Sequence, residues 1–296
     1  KDKEKDPQDE AEFLKVIETK FGISEEQYEK FLDEKEPEDE YFDLEEIKTE
    51  RIKIVRSLYL IRTQYRRMSL FQPDFICIIF GKMMPSKYQR FDADIKIAVD
   101  TWCEDPAQAT KDYGHISKWN TSLVTNMAML FCEKNEFNDD ISKWNVSNVI
   151  DMRRMFCKAG FNGDISKWNV SKVTTMRDMF YNSLSFDGDL SDWSVGNVTS
   201  MSCMFQNASS FHGDISKWDV SKVTNMYCMF RNSAFHGNIS KWNVSNVNTM
   251  MYMFKGSPFD EDISQWKISK GTNVYELFDE CPIPTKHKPN GFRCVD

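Results

Sequence analysis

One acidic or amide side chain recurs at intervals of 24 or 25 residues and could bind a metal ion. Its members are Asp140, Asp164, Asp189, Asp214, Asn238 and Asp262. Stacked carboxylates would suit Ca²⁺, which prefers oxygen ligands. The same residue types also accept backbone N–H groups in turns, and Asn238 fits that role as well as an aspartate does. We therefore expect turns at these positions, and we predict no metal site and no cofactor.

Two histidines one repeat apart offer a second kind of chemistry. His212 and His236 could share a metal ion or titrate near neutral pH. Two histidines without a third ligand make a poor metal site, so we expect a polar turn position instead. We find no Ser/His/Asp or Cys/His set in the sequence, and we predict that the chain has no catalytic residues and is not an enzyme.

Two pairs of cysteines are also spaced one repeat apart. They are Cys132 with Cys157 and Cys203 with Cys228. A disulfide would need their Cα atoms within about 7 Å. Because we expect these cysteines in or beside a helix, where the coils lie farther apart, we favour free thiols that pack as small apolar groups. Since a chain of this length does not need disulfides to fold, a reducing compartment is favoured over a secreted or cell-surface location.

A row of lysines recurs at the x position of the sequence Ile-Ser-x-Trp. The row consists of Lys118, Lys143, Lys167, Lys217 and Lys241, and it is interrupted by Asp192. The flanking Ile and Trp should point inward, so the lysines should point to solvent. They are either an exposed edge that discourages aggregation or a contact surface for an acidic protein partner.

These positions belong to a repeat that tryptophan reveals directly. Seven of the eight tryptophans are spaced 24 or 25 residues apart: Trp119, Trp144, Trp168, Trp193, Trp218, Trp242 and Trp266. After each comes a phrase that is clearest from Trp168 to Phe180, namely Trp-x-Val-Ser-x-Val-Thr-x-Met-x-x-Met-Phe. No single unit can bury its Trp, Met and Phe, so neighbouring units must stack.

Each unit contains two periods. The spacing of two between Trp144 and Val146 predicts an extended segment. The spacings of three and four among Val149, Met152 and Phe156 predict a short helix, which Ser147 is placed to cap.

The full phrase, Phe-x-Gly-Asp-Ile-Ser-Lys-Trp-x-Val-Ser-x-Val-Thr-x-Met-x-x-Met-Phe, resembles the repeat of the BspA-like leucine-rich-repeat family over about residues 113–280. The resemblance implies a right-handed solenoid used for adhesion or protein contact, with no shared catalytic residues. The expected fold class is α/β: a leucine-rich-repeat-like solenoid of about seven 24–25-residue coils, preceded by a small α-helical N-terminal region.

The expected organisation has five parts: an acidic, partly helical arm (1–42), a helical region (43–90), an N-terminal cap (91–112), the solenoid (113–280) and a C-terminal cap or tail (281–296). Within the cap, Ile95, Ala98, Val99 and Trp102 predict a short helix.

The charge is distributed unevenly between these parts. Residues 1–50 carry 20 acidic against 8 basic side chains, and the remainder has a small basic excess. A body close to neutrality is not expected to bind nucleic acid, and the lack of a long apolar stretch predicts no transmembrane segment. Six basic residues form a predicted basic tether: Arg51, Lys53, Arg56, Arg62, Arg66 and Arg67.

The predicted function is non-catalytic protein–protein recognition or adhesion. One alternative is a structural subunit of a large assembly, such as a virus particle or an organelle complex. Another is a ubiquitin-ligase adaptor, because the segment Phe71–Phe80 faintly resembles the start of an F-box.

Overall fold

The computed structural model describes residues 88–289. The acidic arm, residues 43–87 of the helical region and residues 290–296 of the tail lie outside the described residues. So do the predicted basic tether from Arg51 to Arg67 and the F-box-like segment Phe71–Phe80.

The regular elements lie mainly at the start of the described chain. They are strand β1 (Gln89–Phe91), helix α1 (Ile95–Glu104), helix α2 (Pro106–Tyr113), a 3₁₀ turn (Ile116–Lys118), strand β2 (Asn120–Leu123) and a late 3₁₀ turn (Thr285–His287). Strands β1 and β2 pair in parallel, with Gln89 opposite Asn120 and Phe91 opposite Leu123.

Helix α1 is the helix predicted from the apolar spacing between Ile95 and Trp102. Its buried residues are the four that carried the prediction: Ile95, Ala98, Val99 and Trp102. The Trp102 indole N–H donates a hydrogen bond of 2.7 Å to Asp139 Oδ2, and its ring packs edge-on against Trp119. The helix therefore covers the first repeat.

Helix α2 has clear signals at both ends. The Asp105 carboxylate accepts the Gln108 N–H at 3.0 Å, and Pro106 takes the first helical position, where its missing N–H is not needed. The helix ends at Gly114, whose φ of 74° suits glycine. Between 88 and 289, neither helix is long and apolar enough to cross a membrane.

Successive repeats lie side by side and in parallel. One residue of each repeat forms an isolated parallel bridge to the next; the seven residues are Asn126, Asp151, Thr175, Ser200, Asn225, Thr249 and Asn273. The seven residues that follow each bridge residue are here called the turn segment; Met152–Lys158 is one example.

Backbone groups in the turn segment alternate between two kinds of partner. Alternate N–H groups donate to the next repeat at N···O distances of 2.7–3.2 Å; in the example they belong to Met152, Arg154, Phe156 and Lys158. Of the intervening N–H groups, that of Arg153 donates to Asp151 Oδ1 at 2.9 Å, and those of Met155 and Cys157 donate to the carbonyl three residues earlier. Arg154 and Lys158 have φ values of 56° and 55°, and the equivalent positions of the other repeats are also left-handed.

This geometry replaces the helix predicted over Val149–Phe156. A left-handed residue at every fourth position stops a right-handed helix after one turn, and the N–H groups that a helix would use internally bind the next repeat instead. The apolar spacing suggests a helix because a repeating turn of four residues has nearly the same period as the 3.6 residues of an α-helix.

The strand predicted at Trp144–Val146 also differs from the structure. The Trp144 N–H closes a tight turn onto the Ile141 carbonyl at 3.0 Å, and bridging to the next repeat occurs later, at Asp151. Ser147 caps no helix; its N–H donates to Asn145 Oδ1 at 3.1 Å.

The core consists of aromatic columns that run from repeat to repeat. One phenylalanine column has centroid spacings of 5.4–5.8 Å: Phe131, Phe156, Phe180, Phe205, Phe230, Phe254 and Phe278. The repeated tryptophans are buried beside it, and each indole N–H from Trp144 to Trp266 donates to a backbone carbonyl of the preceding repeat. Tryptophan therefore supplies both apolar contact and a hydrogen bond between repeats.

Replacing Trp193 should separate these two contributions. Trp193→Ala should destabilise the protein by about 3–5 kcal/mol because it empties a central buried site. Trp193→Phe should cost less but still about 1–3 kcal/mol, because the Ile165 carbonyl loses its indole donor. Trp266→Ala, in the last repeat, should cost less than Trp193→Ala. Urea unfolding measures all three, and equal small losses would contradict a core role.

Two glycines provide a matched test of the left-handed positions. Gly256 has a φ of 68°, and an added Cβ would lie 2.3 Å from Asn232 Oδ1. Gly256→Ala should therefore destabilise by about 1–2 kcal/mol. Gly271→Ala is the control, because its Cβ would meet nothing within 4 Å. Thermal unfolding of both variants checks this, and equal effects would contradict it.

Candidate interaction surface

The lysine row lies where the sequence predicted, at exposed positions. Lys118, Lys143, Lys167, Lys217 and Lys241 are all exposed. Asp192, which interrupts the row, and Gln265, the equivalent residue of the last repeat, are exposed too. Lys167 forms an ion pair of 2.8 Å with Asp192 of the next repeat. The row is thus less uniformly positive than its composition suggests.

The acidic ladder lies three residues before the lysine row. Each of its six members accepts the backbone N–H two residues later at 2.9–3.0 Å, which is the predicted turn. That hydrogen bond lowers the pKa of Asp164, Asp189 and Asp214, and the nearby lysines lower it further. These carboxylates remain charged and partly neutralise the lysine row.

His212 and His236 lie at exposed turn positions with ring centroids 5.4 Å apart. The His212 backbone N–H donates to Asp187 Oδ1 at 2.7 Å, and Asn162 accepts the Asp187 N–H in the same way. Among residues 88–289, no three His, Cys, Asp or Glu side chains are grouped so that they could hold a metal ion.

A surface that the sequence interpretation missed lies on the outside of the turn segments. Within each segment the first, fourth and fifth side chains point into the core. The second, third, sixth and seventh side chains form the face here called the turn face; most are at least partly exposed, and Cys157, Asp178, Ser202 and Cys228 are buried. Its residue types change from repeat to repeat: arginine at 153 and 154, serine and cysteine at 202 and 203, tyrosine at 227 and 252. This variation between repeats, at otherwise constant positions, is the sequence signal that could have revealed the turn face. The predicted helix instead placed these residues on its solvent-exposed polar side.

A tyrosine tract occupies the C-terminal half of the turn face. Tyr227, Tyr252 and Tyr275 make edge-to-face contacts at 6.0 and 5.6 Å, and Tyr227 and Tyr275 are exposed. The Arg231 guanidinium lies 5.4 Å from the Tyr252 ring centroid, and Lys255 Nζ lies 5.6 Å from it. Tyrosine and arginine are the residues most often responsible for binding energy at protein interfaces.

The other end of the turn face forms a cleft of about 400 Å³ against helix α1. Its charged side chains are largely paired: Arg154 with Asp178 at 3.0 Å, Lys158 with Glu133 at 2.8 Å, and Lys134 with Asp100 at 2.8 Å. Pairing leaves this end nearly neutral.

The repeated cysteines also lie on the turn face. Cys132, Cys157, Cys203 and Cys228 are free thiols. The assumption that they lie where the coils are far apart is wrong, because the turn segments are where neighbouring backbones hydrogen-bond directly.

Comparison with known proteins gives one match. A family model described as "Mycoplasma protein of unknown function, DUF285" matches residues 104–218 and 199–286. A search of curated proteins and a search of solved structures each gave no match.

Replacing one carboxylate of the acidic ladder tests its role as a turn former. Asp214→Asn, which copies Asn238, should change stability little, whereas Asp214→Ala should cost about 1 kcal/mol. Because the folded-state pKa of Asp214 is lowered, its charge stabilises the fold above the unfolded pKa, and this contribution is lost as pH falls through the folded pKa. Any advantage of wild type over Asp214→Asn at pH 7 should therefore shrink at acidic pH, once the pH is below the ordinary aspartate pKa of about 3.9. Melting curves at pH 7 and at acidic pH check this, and equal melting of all three proteins at pH 7 would contradict it.

Proposed function

Since the chain belongs to the family described as "Mycoplasma protein of unknown function, DUF285", we propose that it is a non-catalytic protein-recognition module built on a leucine-rich-repeat-like solenoid of the BspA-like kind. Membership supports this in part, because the family is a repeat family related to BspA-like surface repeat proteins. The stacked parallel repeats and their bridge ladder are consistent with a solenoid.

The observation that carries the proposal is the contrast between the inside and the outside of the turn segments. Inside, the apolar side chains are nearly identical in each repeat and buried, except that Val274 of the last repeat is only partly buried. Outside, the same backbone presents a different set of side chains in each repeat. A rigid scaffold that displays varied side chains is the arrangement that repeat proteins use to bind extended partners.

We propose that the tyrosine tract is the central part of the contact surface. It combines exposed aromatic area with the cations Arg231 and Lys255, and backbone hydrogen bonds join its turn segments to one another. Rigid aromatic groups lose little conformational entropy on binding. Lys255 also pairs with Glu276 and Asp279, which orients it over the tyrosine ring.

The lysine row is the second surface to consider, as a site for an acidic partner. Its charges alternate with the acidic ladder, so its net field is weak. Lysines on exposed edges also discourage association between molecules. These observations favour the turn face over the lysine row.

Affinity capture with two sets of substitutions should distinguish the surfaces. The immobilised full chain is exposed to an extract of its source organism, and the retained proteins are compared with those of the variants. The triple variant Tyr227→Ala, Tyr252→Ala, Tyr275→Ala should lose the proteins that wild type retains. The quadruple variant Lys143→Glu, Lys167→Glu, Lys217→Glu, Lys241→Glu should keep them.

Folding of both variants must be shown by circular dichroism and by melting temperatures close to wild type, since the substituted side chains are largely on the surface. Retention of the same proteins by the tyrosine variant would contradict the proposed surface. Loss with the lysine variant alone would assign binding to the lysine row.

A further inference from the structure

Two cysteines on the turn face are held side by side by the backbone. The Cys203 N–H donates to the carbonyl of Tyr227, the residue before Cys228, at 2.8 Å. Cys203 and Cys228 have φ values of 54° and 53°, so their Cβ atoms leave the backbone in the same direction. Hydrogen-bonded neighbouring chains lie about 5 Å apart, within the Cα separation of about 4.4–6.8 Å that a disulfide spans.

The surroundings of the two sulfur atoms differ. The neighbouring Cys203 thiol lowers the pKa of Cys228, and the proximity of Cys228 in turn raises the pKa of Cys203. The nearby Tyr227 hydroxyl and Arg231 guanidinium lower the pKa of Cys228 further, against the opposing effect of burial. Cys228 is only 1% exposed, whereas Cys203 is partly exposed. Cys228 therefore favours the thiolate form, and the neighbouring Cys203 keeps its proton as a thiol.

We propose that Cys203 and Cys228 form a dithiol–disulfide couple, which a small hydroperoxide closes into a covalent link between two neighbouring repeats. This proposal does not depend on the proposed function.

The reaction takes place in two balanced steps. The Cys228 thiolate, whose proton has gone to solvent, attacks one peroxide oxygen and the O–O bond breaks, leaving a sulfenic acid. The departing hydroxide takes a proton back from solvent and becomes water. The Cys203 sulfur then attacks the sulfenic sulfur, the S–O bond breaks, and the hydroxyl leaves as water with the Cys203 proton. Two electrons pass from the sulfur atoms to hydrogen peroxide, and two waters are formed.

The second cysteine pair is an internal control. Cys132 and Cys157 are also one repeat apart on the turn face, but burial first, and then the Cys132 charge, raises the pKa of Cys157 to about 12. The nearby Arg154 is engaged by Asp178 at 3.0 Å. This pair has comparable proximity but little thiolate, so it should react far more slowly.

Peptide mapping of the oxidised full chain tests the proposal. The reduced protein is treated with a few equivalents of hydrogen peroxide at neutral pH. It is then unfolded with a denaturant in the presence of N-ethylmaleimide, which alkylates the remaining free thiols, and digested with trypsin. The tryptic peptides that contain Cys203 and Cys228 should be found joined, two hydrogens lighter than their sum, whereas Cys132 and Cys157 should be found alkylated. Dithiothreitol should reverse the link, and the oxidised protein should melt several degrees higher because the link closes a loop in the unfolded chain.

Single variants identify the participating atoms. Cys203→Ser and Cys228→Ser should each abolish the link, and the matched variant Cys157→Ser should retain it. Recovery of Cys203 and Cys228 as separate alkylated peptides after oxidation of the wild type would overturn the proposal. So would linkage of Cys132 to Cys157 at the same rate, because proximity alone would then explain the result.

Discussion

The interaction on which the repeats depend is the lateral hydrogen bonding between their turn segments. A left-handed residue that is not glycine costs about 1 kcal/mol or more, and each turn segment contains two such positions. Hydrogen bonds between repeats offset this cost. The left-handed residues orient every second N–H of the turn segment toward a carbonyl of the next repeat. Asparagine at 182, 207 and 232 and glycine at 256 ease one of the two positions, because both residue types tolerate this conformation. Isolated from its neighbours, a single repeat would leave those N–H groups unpaired.

The aromatic columns depend on this spacing and reinforce it. Phenylalanine rings of successive repeats stack at nearly constant distances because the same hydrogen bonds fix the separation between each backbone and the next. Beside this column, the tryptophan indole N–H adds a further hydrogen bond between repeats. At the start of the array, helix α1 provides Trp102 to pack against Trp119, so that the first tryptophan is also buried.

The same constraint determines which side chains are free to take part in binding. Positions whose side chains point inward are confined to Met, Leu, Val and Phe, whereas the outer positions of the turn segment are not required by the core. Tyr252, Arg231 and Lys255 therefore come together across adjacent repeats without disturbing it. Cys203 and Cys228 are brought together by the same backbone hydrogen bonding.

The period, the inward-facing residues, helix α1 and the turn role of residues such as Asp214 could all be predicted from the sequence, because they follow from burial and from local hydrogen bonding. It could not determine the backbone of the turn segment. A helix and a chain of four-residue turns place Val149, Met152 and Phe156 on one side equally well. Only contact with the next repeat decides between them, because the carbonyls that accept alternate N–H groups are 23 or so residues away in the chain. The tyrosine tract and the contact between Cys203 and Cys228 could not be predicted for the same reason. Their residues belong to different repeats, and the backbone hydrogen bonds between repeats decide which of them lie side by side.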